Sequence, residues 1–416
     1  MSPAWLSLGA LVVAIIVSCT TQLNVGVLAV AFAWLVGVYF AGMPLSEVLG
    51  GFPIQLFLTL AGVTLLFTQA QLNGTLDNLA GRAVRICRGN TGLIPVSFFC
   101  LGAGIASIGP GNIATAAMLA PMAMAVAARA KIPPFLMALM IGNGAQSGAL
   151  SPFAPTGIIV NGLMDRIGLG GYEWHTYWTN LAAHAILAFG GYLLLGGWKL
   201  FRSAYAEAGA IGGGNRFATA HWVTLAVILA VIGGVLFADA NIGMAAFAGA
   251  VALGALRVAD HEQAIRRMPW TPIVMVSGVT VLITLMEKTG GLDLFTTLLA
   301  ATATRETATG AVAFVTAVIS VYSSTSGVVL PAFLPTIPGL VARLGGGDPI
   351  AIASSMNVGA HLVDMSPLST TGAMCLAGIT DPEQVRPTYN RLLAWGLSMT
   401  VIGALLCWIM FRVVGI

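Results

Sequence analysis

The chain carries nearly the same pattern twice, about 215 residues apart, and each copy centres on an interrupted apolar segment. Ser151-Pro152-Phe153-Ala154-Pro155-Thr156-Gly157 returns as Ser366-Pro367-Leu368-Ser369-Thr370-Thr371-Gly372. Gly144-Ala145 returns as Gly359-Ala360, and Pro134 as Pro349. Upstream, Gly62-Val63-Thr64 returns as Gly278-Val279-Thr280, and Gly74-Thr75-Leu76-Asp77 as Gly290-Gly291-Leu292-Asp293. Matches kept in one order at a nearly constant offset mark a duplication. Apolar segments broken at corresponding places in two halves point to a polar site where the halves meet.

Composition says where such a chain must live. It is 57% hydrophobic and 8% charged, against roughly 25% charged for a soluble domain. Many apolar stretches approach the roughly 20 residues needed to cross a bilayer. The fold class is therefore an all-α integral membrane protein, with no room for a soluble catalytic or nucleic-acid-binding domain. The net charge of +3 is no nucleic-acid signal. Cys19, Cys87, Cys100, Cys375 and Cys407 have no metal-type spacing and read as buried free thiols, so no transition-metal site is expected. Met1-Ser2-Pro3-Ala4-Trp5 lacks a basic leader, so the first apolar run reads as a retained span.

Each half contains seven apolar segments. They lie near 4–19, 23–41, 54–72, 92–108, 112–128, 134–164 and 176–198, then near 219–237, 241–257, 271–287, 309–324, 327–342, 349–379 and 391–413. The fourth and fifth of each half are short and joined by the tight tips Gly109-Pro110-Gly111 and Ser324-Thr325-Ser326-Gly327. Whether full spans or one re-entrant hairpin, they contribute an even number of crossings. The other five make the total odd, so the second half must be inverted relative to the first. With re-entrant hairpins this gives about ten spans plus two hairpins.

The expected division is 1–90 and 218–307 as two scaffold parts, 91–200 and 308–416 as two mobile parts, and 201–217 as a linker. The mobile parts comprise hairpin 92–129 with broken helix 134–164, and hairpin 309–342 with broken helix 349–379. Leu76 to Arg88 reads as an interfacial helix, with Leu76, Leu79, Ala83 and Ile86 on one face and Arg82 and Arg85 on the other. Asp77 and Asp293 read as charges at helix N-termini. Thirteen of the Lys and Arg residues fall on one side of this topology and five on the other. Cytoplasmic loops are the enriched ones, so both termini are expected in the periplasm of a bacterial inner membrane.

Each proline of a break removes an amide donor and disfavours helix just before it. Bare backbone groups survive at membrane depth only beside a cavity or inside protein. Freed carbonyls, with Ser and Thr hydroxyls, suit a hard cation, whereas freed amides suit an anion. Asn112 and Ser326 open the returning helices of the two tips and can cap them while facing a ligand. Asp364 precedes the second break, where a carboxylate costs roughly 2.5–3.5 kcal/mol on insertion scales and needs a partner or a use. It can ligate sodium, carry a proton or pair with His361; a structural hydrogen bond is the competing reading. His361 aligns with Gln146, and His184 reads as a satisfied core histidine.

Asn112-Ile113-Ala114-Thr115-Ala116-Ala117-Met118-Leu119-Ala120-Pro121, followed by a broken helix, resembles the divalent anion:sodium symporters of the ion transporter superfamily. Gly62-Val63-Thr64, Gln71-Leu72-Asn73-Gly74-Thr75-Leu76-Asp77, Leu93-Ile94-Pro95 and Gly144-Ala145-Gln146-Ser147-Gly148 resemble the bacterial malonate/dicarboxylate carriers of the MatC type, over roughly residues 5–200. The resemblance implies an elevator mechanism, a dimerising scaffold (hence a homodimer) and cation-coupled dicarboxylate import. The chain departs from the symporters at the first tip, where Gly111-Asn112-Ile113 stands in place of Ser-Asn-Thr and two hydroxyls are missing.

The resulting expectation is a secondary active importer, not an enzyme. It would bind a small dicarboxylate, malonate or C4-type, with sodium as coupling cation, protons being the alternative, and no cofactor. Expected substrate ligands are Asn112, Asn143, Thr156, Gly157, Ser326, His361, Ser369, Thr370 and Thr371. Expected cation ligands are Gly111, Asn112, Ser151, Thr325, Ser326, Asp364 and Ser366. The rival functions are the large membrane subunit of a binding-protein-dependent (TRAP-type) transporter and a cation/proton antiporter of the same superfamily. An intramembrane enzyme would rest on Asp364 and His361 alone.

Overall fold

The computed structural model describes residues 2–21, 23–76, 78, 89–205 and 217–416. Most of the expected interfacial helix, with Asp77, and the glycine-rich core of the linker lie outside the described residues. The described chain is all-helical apart from a two-residue antiparallel bridge between Gly89–Asn90 and Ala204–Tyr205. Its helices of eight residues or more are, in the first half, α1 (Pro3–Thr20), α2 (Val25–Phe40), α3 (Ile54–Leu72), α4 (Leu93–Ser107), α5 (Gly111–Arg129), α6 (Pro134–Ser147), α7 (Pro155–Arg166) and α8 (Glu173–Leu194). The second half adds α9 (Thr219–Ala238), α10 (Ile242–Ala255), α11 (Trp270–Thr289), α12 (Gly291–Ala300), α13 (Ala308–Ser320), α14 (Thr325–Arg343), α15 (Pro349–Leu362), α16 (Thr370–Ala377) and α17 (Pro382–Val414). Five of them, α3, α5, α11, α14 and α17, are long and apolar enough to cross a membrane. Two of these five, α5 and α14, are the returning arms of the expected hairpins.

Both breaks fall where the prolines require. Helix α6 stops at Ser147 and α7 starts at Pro155; α15 stops at Leu362, runs through one tight turn, and α16 starts at Thr370. The repeated sequence produces repeated local bonding. The Ser151 carbonyl accepts from the Ala154 amide at 3.0 Å, as the Ser366 carbonyl accepts from Ser369 at 3.0 Å. Their hydroxyls accept from the amides of Phe153 and Leu368, each at 3.3 Å. A side chain at Gly157 or Gly372 would collide with those same serine carbonyls.

Glycines also set how the halves meet. A methyl at Gly62 on α3 would run into the Gly243 carbonyl of α10, and one at Gly278 on α11 into the Gly26 carbonyl of α2. Position by position these are the same contact made twice: the third helix of each half lies backbone to backbone on the second helix of the other. Small residues allow this close approach between apolar helices, where packing replaces the hydrophobic effect. Within each half, Gly144 of α6 lies on Phe99 of α4, and Gly359 of α15 on Ala313 of α13.

Polar ties at the helix ends fix direction. Glu47, ahead of α3, pairs with Lys288 at the end of α11 at 2.8 Å. Asn73, just after α3, donates to the Val258 carbonyl ahead of α11 at 3.3 Å. Asn24, before α2, donates to Thr271 at the start of α11, whereas Ser7 of α1 bonds Thr289 at its end. Asp293 lies in the first turn of α12, as expected, and also pairs with Arg343.

Candidate functional site

Two loops of opposite chemistry approach the two breaks. In the first tip Gly109 and Gly111 have φ of +142° and +76°, a region that disfavours other residues, and a side chain at Gly109 would strike the Phe67 ring. The tight turn lets α5 begin at Gly111, so Asn112 stands inside the helix with its amide aimed sideways and does not cap it. In the second tip Ser324, not Ser326, is the cap, accepting from the Gly327 amide at 3.1 Å. Thr325 and Ser326 follow in the first wide turn of α14.

A continuous polar network joins the two tips through both breaks. The Thr156 hydroxyl donates to Asn112 Oδ1 at 3.5 Å, and Asn112 Nδ2 donates to Gln146 Oε1 at 2.9 Å. Gln146 Nε2 then donates to Thr371 Oγ1 at 3.1 Å, with Asp364 Oδ2 at 3.4 Å. Thr325 Oγ1 lies 2.9 and 3.1 Å from the two Asp364 oxygens and 3.4 Å from the Ala360 carbonyl, and it also contacts Ser320 Oγ closely. The network links residues more than 200 positions apart and crosses from one half to the other at Gln146.

Beside it lies a cavity of about 300 Å³, at the lower end of the range for small-molecule sites. Its walls include Asn112, Gln146, Ser326, His361, Asp364 and Thr371, and also Thr325, Ser369 and Thr370. Among the described residues, no Lys or Arg lines it. Most of the expected ligands are thus brought together. The hydroxyl of Thr156 stands behind Asn112. Ser151 donates to the Ser107 carbonyl at 2.6 Å and, with Ser366, Gly157 and Gly111, shapes backbone outside the cavity wall. Asn143 faces elsewhere, donating to the Leu139 carbonyl at 2.8 Å and accepting from His184 Nδ1 at 2.9 Å. His361 bonds the Asn357 carbonyl through Nδ1 at 2.7 Å. That carbonyl is an acceptor only, so Nδ1 carries the proton. Asp364 meets Thr325 and Gln146 rather than His361.

The chemistry differs between the two ends of the network. Around Asp364 are oxygens: two of its own, the hydroxyls of Ser320 and Thr325, and the Ala360 carbonyl. Each hydroxyl brings one proton and the Gln146 amide reaches one carboxylate oxygen at 3.4 Å, so acceptors still outnumber donors. Oxygen-rich sites of this kind suit hard cations. At the first break the balance reverses. Asn180 of α8 donates both amide protons, to the Gln146 carbonyl at 2.9 Å and the Ser147 carbonyl at 3.2 Å. The carbonyls expected to be free for a cation there are already satisfied. Gln146 and Asn180 are absent from the ligands chosen on sequence. Gln146 carried one signal, its alignment with His361; Asn180 carried none, because its counterpart is Trp395.

Residues 1–149 match the family model described as the dicarboxylate carrier protein MatC N-terminus. The resemblance to MatC-type carriers read from the sequence is borne out over that part of the chain. No curated protein matches the chain.

Proposed function

We propose that this chain, whose first 149 residues match the MatC dicarboxylate carrier family, moves a small dicarboxylate across a membrane together with a cation. The observation that carries the reading is the Asp364 cavity. It is small, polar, free of Lys and Arg among the described residues, and built from both tips, Gln146 near the end of α6, and the second break. An anion entering it meets hydroxyls and amides on one side and a carboxylate on the other. Two like charges about 6 Å apart repel by about 3 kcal/mol at an effective dielectric of about 20. A cation seated in the oxygen cluster around Asp364 offsets that repulsion, so cation and dicarboxylate binding favour each other reciprocally.

The end-to-end ties support an inverted arrangement of the halves. The Glu47–Lys288 pair joins the start of α3 to the end of α11, and Asn73 joins the end of α3 to the segment before α11. Helices equivalent in sequence therefore run in opposite senses. We assign the Lys/Arg-rich end to the cytoplasm. Ser18 and Met275, which also line the cavity, then lie near the cytoplasmic ends of α1 and α11, and the cavity faces inward. In an elevator cycle the α4–α8 and α13–α17 elements move against α1–α3 and α9–α12, with sodium as coupling ion and protons as the alternative.

A counterflow experiment tests the substrate class. Proteoliposomes holding only this chain are loaded with malonate, and unlabelled acids compete for entry of labelled malonate. Competition by dicarboxylates, and none by monocarboxylates of the same length, is the expected result. Entry of labelled malonate at the rate of protein-free vesicles removes the reading.

A further inference from the structure

We infer that the chain couples to a single cation, seated in the second half, because Asn180 supplies to the first half what a cation supplies to the second. The inference rests on the carrier reading above and adds a stoichiometry and a residue to it.

The duplication makes two equivalent places for a cation: the carbonyl end of each interrupted helix, beside a polar tip. Counting protons at each separates them. At the first, the carbonyls of Gln146 and Ser147 both accept from Asn180 Nδ2. Those two carbonyls fix the amide orientation, since an amide oxygen there would face two acceptors. Asn180 is fully buried, so no water competes for those bonds, and its own Oδ1 has no partner among the described residues. The other first-half groups are committed too. Asn112 uses both ends of its amide, on Gln146 and Thr156; Ser151 donates to Ser107, and Ser147 to the Gly144 carbonyl at 2.7 Å. No unpaired carboxylate stands among them.

At the second break the residue in the place of Asn180 is Trp395. Its indole nitrogen is buried with no hydrogen-bond partner among the described residues. Its ring packs on Gly191 and stacks edge-on to Phe135 at 6.4 Å. It donates nothing to the equivalent carbonyls of His361 and Leu362. What stands here instead is Asp364, held by the Thr325 hydroxyl and, at 3.4 Å, by the Gln146 amide, with Ser320 and the Ala360 carbonyl against Thr325, a cluster with more oxygens than protons. Burial of a carboxylate with so few donors is costly unless a positive charge accompanies it. One half thus carries its neutralising donors in its sequence, and the other must take a cation from solution. Asn180 acts as a positioning residue, through the carbonyls of Gln146 and Ser147, and touches neither cation nor substrate.

The purified full-length chain tests this in two arms. The first reads its melting temperature without substrate, and its malonate uptake rate in proteoliposomes, against sodium at fixed pH and against pH at fixed sodium, with choline holding ionic strength. A Hill slope near 1 for the cation that acts is expected; a slope near 2 overturns the inference. The second arm is Asn180→Asp, which replaces two donors with acceptors and leaves a carboxylate facing two carbonyl oxygens. Its melting temperature should acquire a second dependence, on sodium or on protons, that the native chain lacks. A folded Asn180→Asp protein whose melting follows sodium and pH as the native chain does also overturns it. Should that variant fail to fold, the native slope alone decides. Single-site stabilisation by a cation with no malonate uptake would remove the dicarboxylate reading and leave this inference standing, whereas malonate uptake with a slope of 2 would do the reverse.

Discussion

Replacing Asp364 by Asn should separate cation dependence from substrate choice. The side chains have nearly the same shape, but the amide brings two protons to a cluster that lacks them. Its oxygen can accept from Thr325, as the carboxylate does at 2.9 Å. Its nitrogen takes the place of Oδ2, 3.1 Å from Thr325 Oγ1, and the Gln146 amide gives up its 3.4 Å bond there while keeping Thr371. The variant therefore imitates the first half, where Asn180 fills the same need, and should fold. Removing one member of a buried charge pair costs about 3–5 kcal/mol, and about 1.4 kcal/mol is a tenfold change. The cation midpoint should rise by about two to three and a half decades, which in an ordinary titration reads as loss of dependence. The ratio of malonate to succinate uptake should change far less, because the walls around Asn112, Ser326 and Thr371 are untouched. The assay is initial uptake against sodium and pH, paired with melting temperature. A folded Asp364→Asn protein with a cation midpoint within about threefold of the native one would refute the reasoning and make Asp364 structural.

Two further outcomes follow from packing and from the network. Gly62→Ala and Gly278→Ala each drive a methyl into a backbone carbonyl of the facing half, so each should destabilise by about 1–3 kcal/mol or more, as overpacking does. Thermal unfolding of the purified variants should show equal losses at the two sites; a neutral result at either would contradict the paired contact. Gln146→Leu keeps volume but takes the acceptor from Asn112 Nδ2 and the donor from the Thr371 hydroxyl. At about 1–3 kcal/mol for an unsatisfied buried group, substrate affinity should weaken about five- to 150-fold in a binding titration, and unchanged affinity would place Gln146 outside the site.

Much of the fold was legible because hydropathy and proline act locally. Helices and both breaks appear where the apolar segments and the paired Ser-Pro turns stand, although a lone proline does not suffice, as Pro121 within α5 and Pro387 within α17 show. Asp364 was legible through the cost of a carboxylate in an apolar segment. What was hidden depends on geometry. Ser326 was expected to cap the second returning helix, but the tip turns early and Ser324 does so. Asn112 was expected to cap the first, but two left-handed glycines start the helix before it and turn its amide onto Gln146. Asn143 reads as a ligand by position, yet its amide is taken up by His184 and the Leu139 carbonyl. Asn180 was invisible to a reading built on repetition, because it marks the place where the halves differ.

The most direct test of the account is uptake of labelled malonate by proteoliposomes containing this chain alone, with inward sodium and proton gradients imposed one at a time. The account predicts saturable accumulation above the outside concentration, driven by one of the two gradients and abolished when it is collapsed. Equilibration that neither gradient can push past equality, or uptake that appears only when another protein is added, would contradict it.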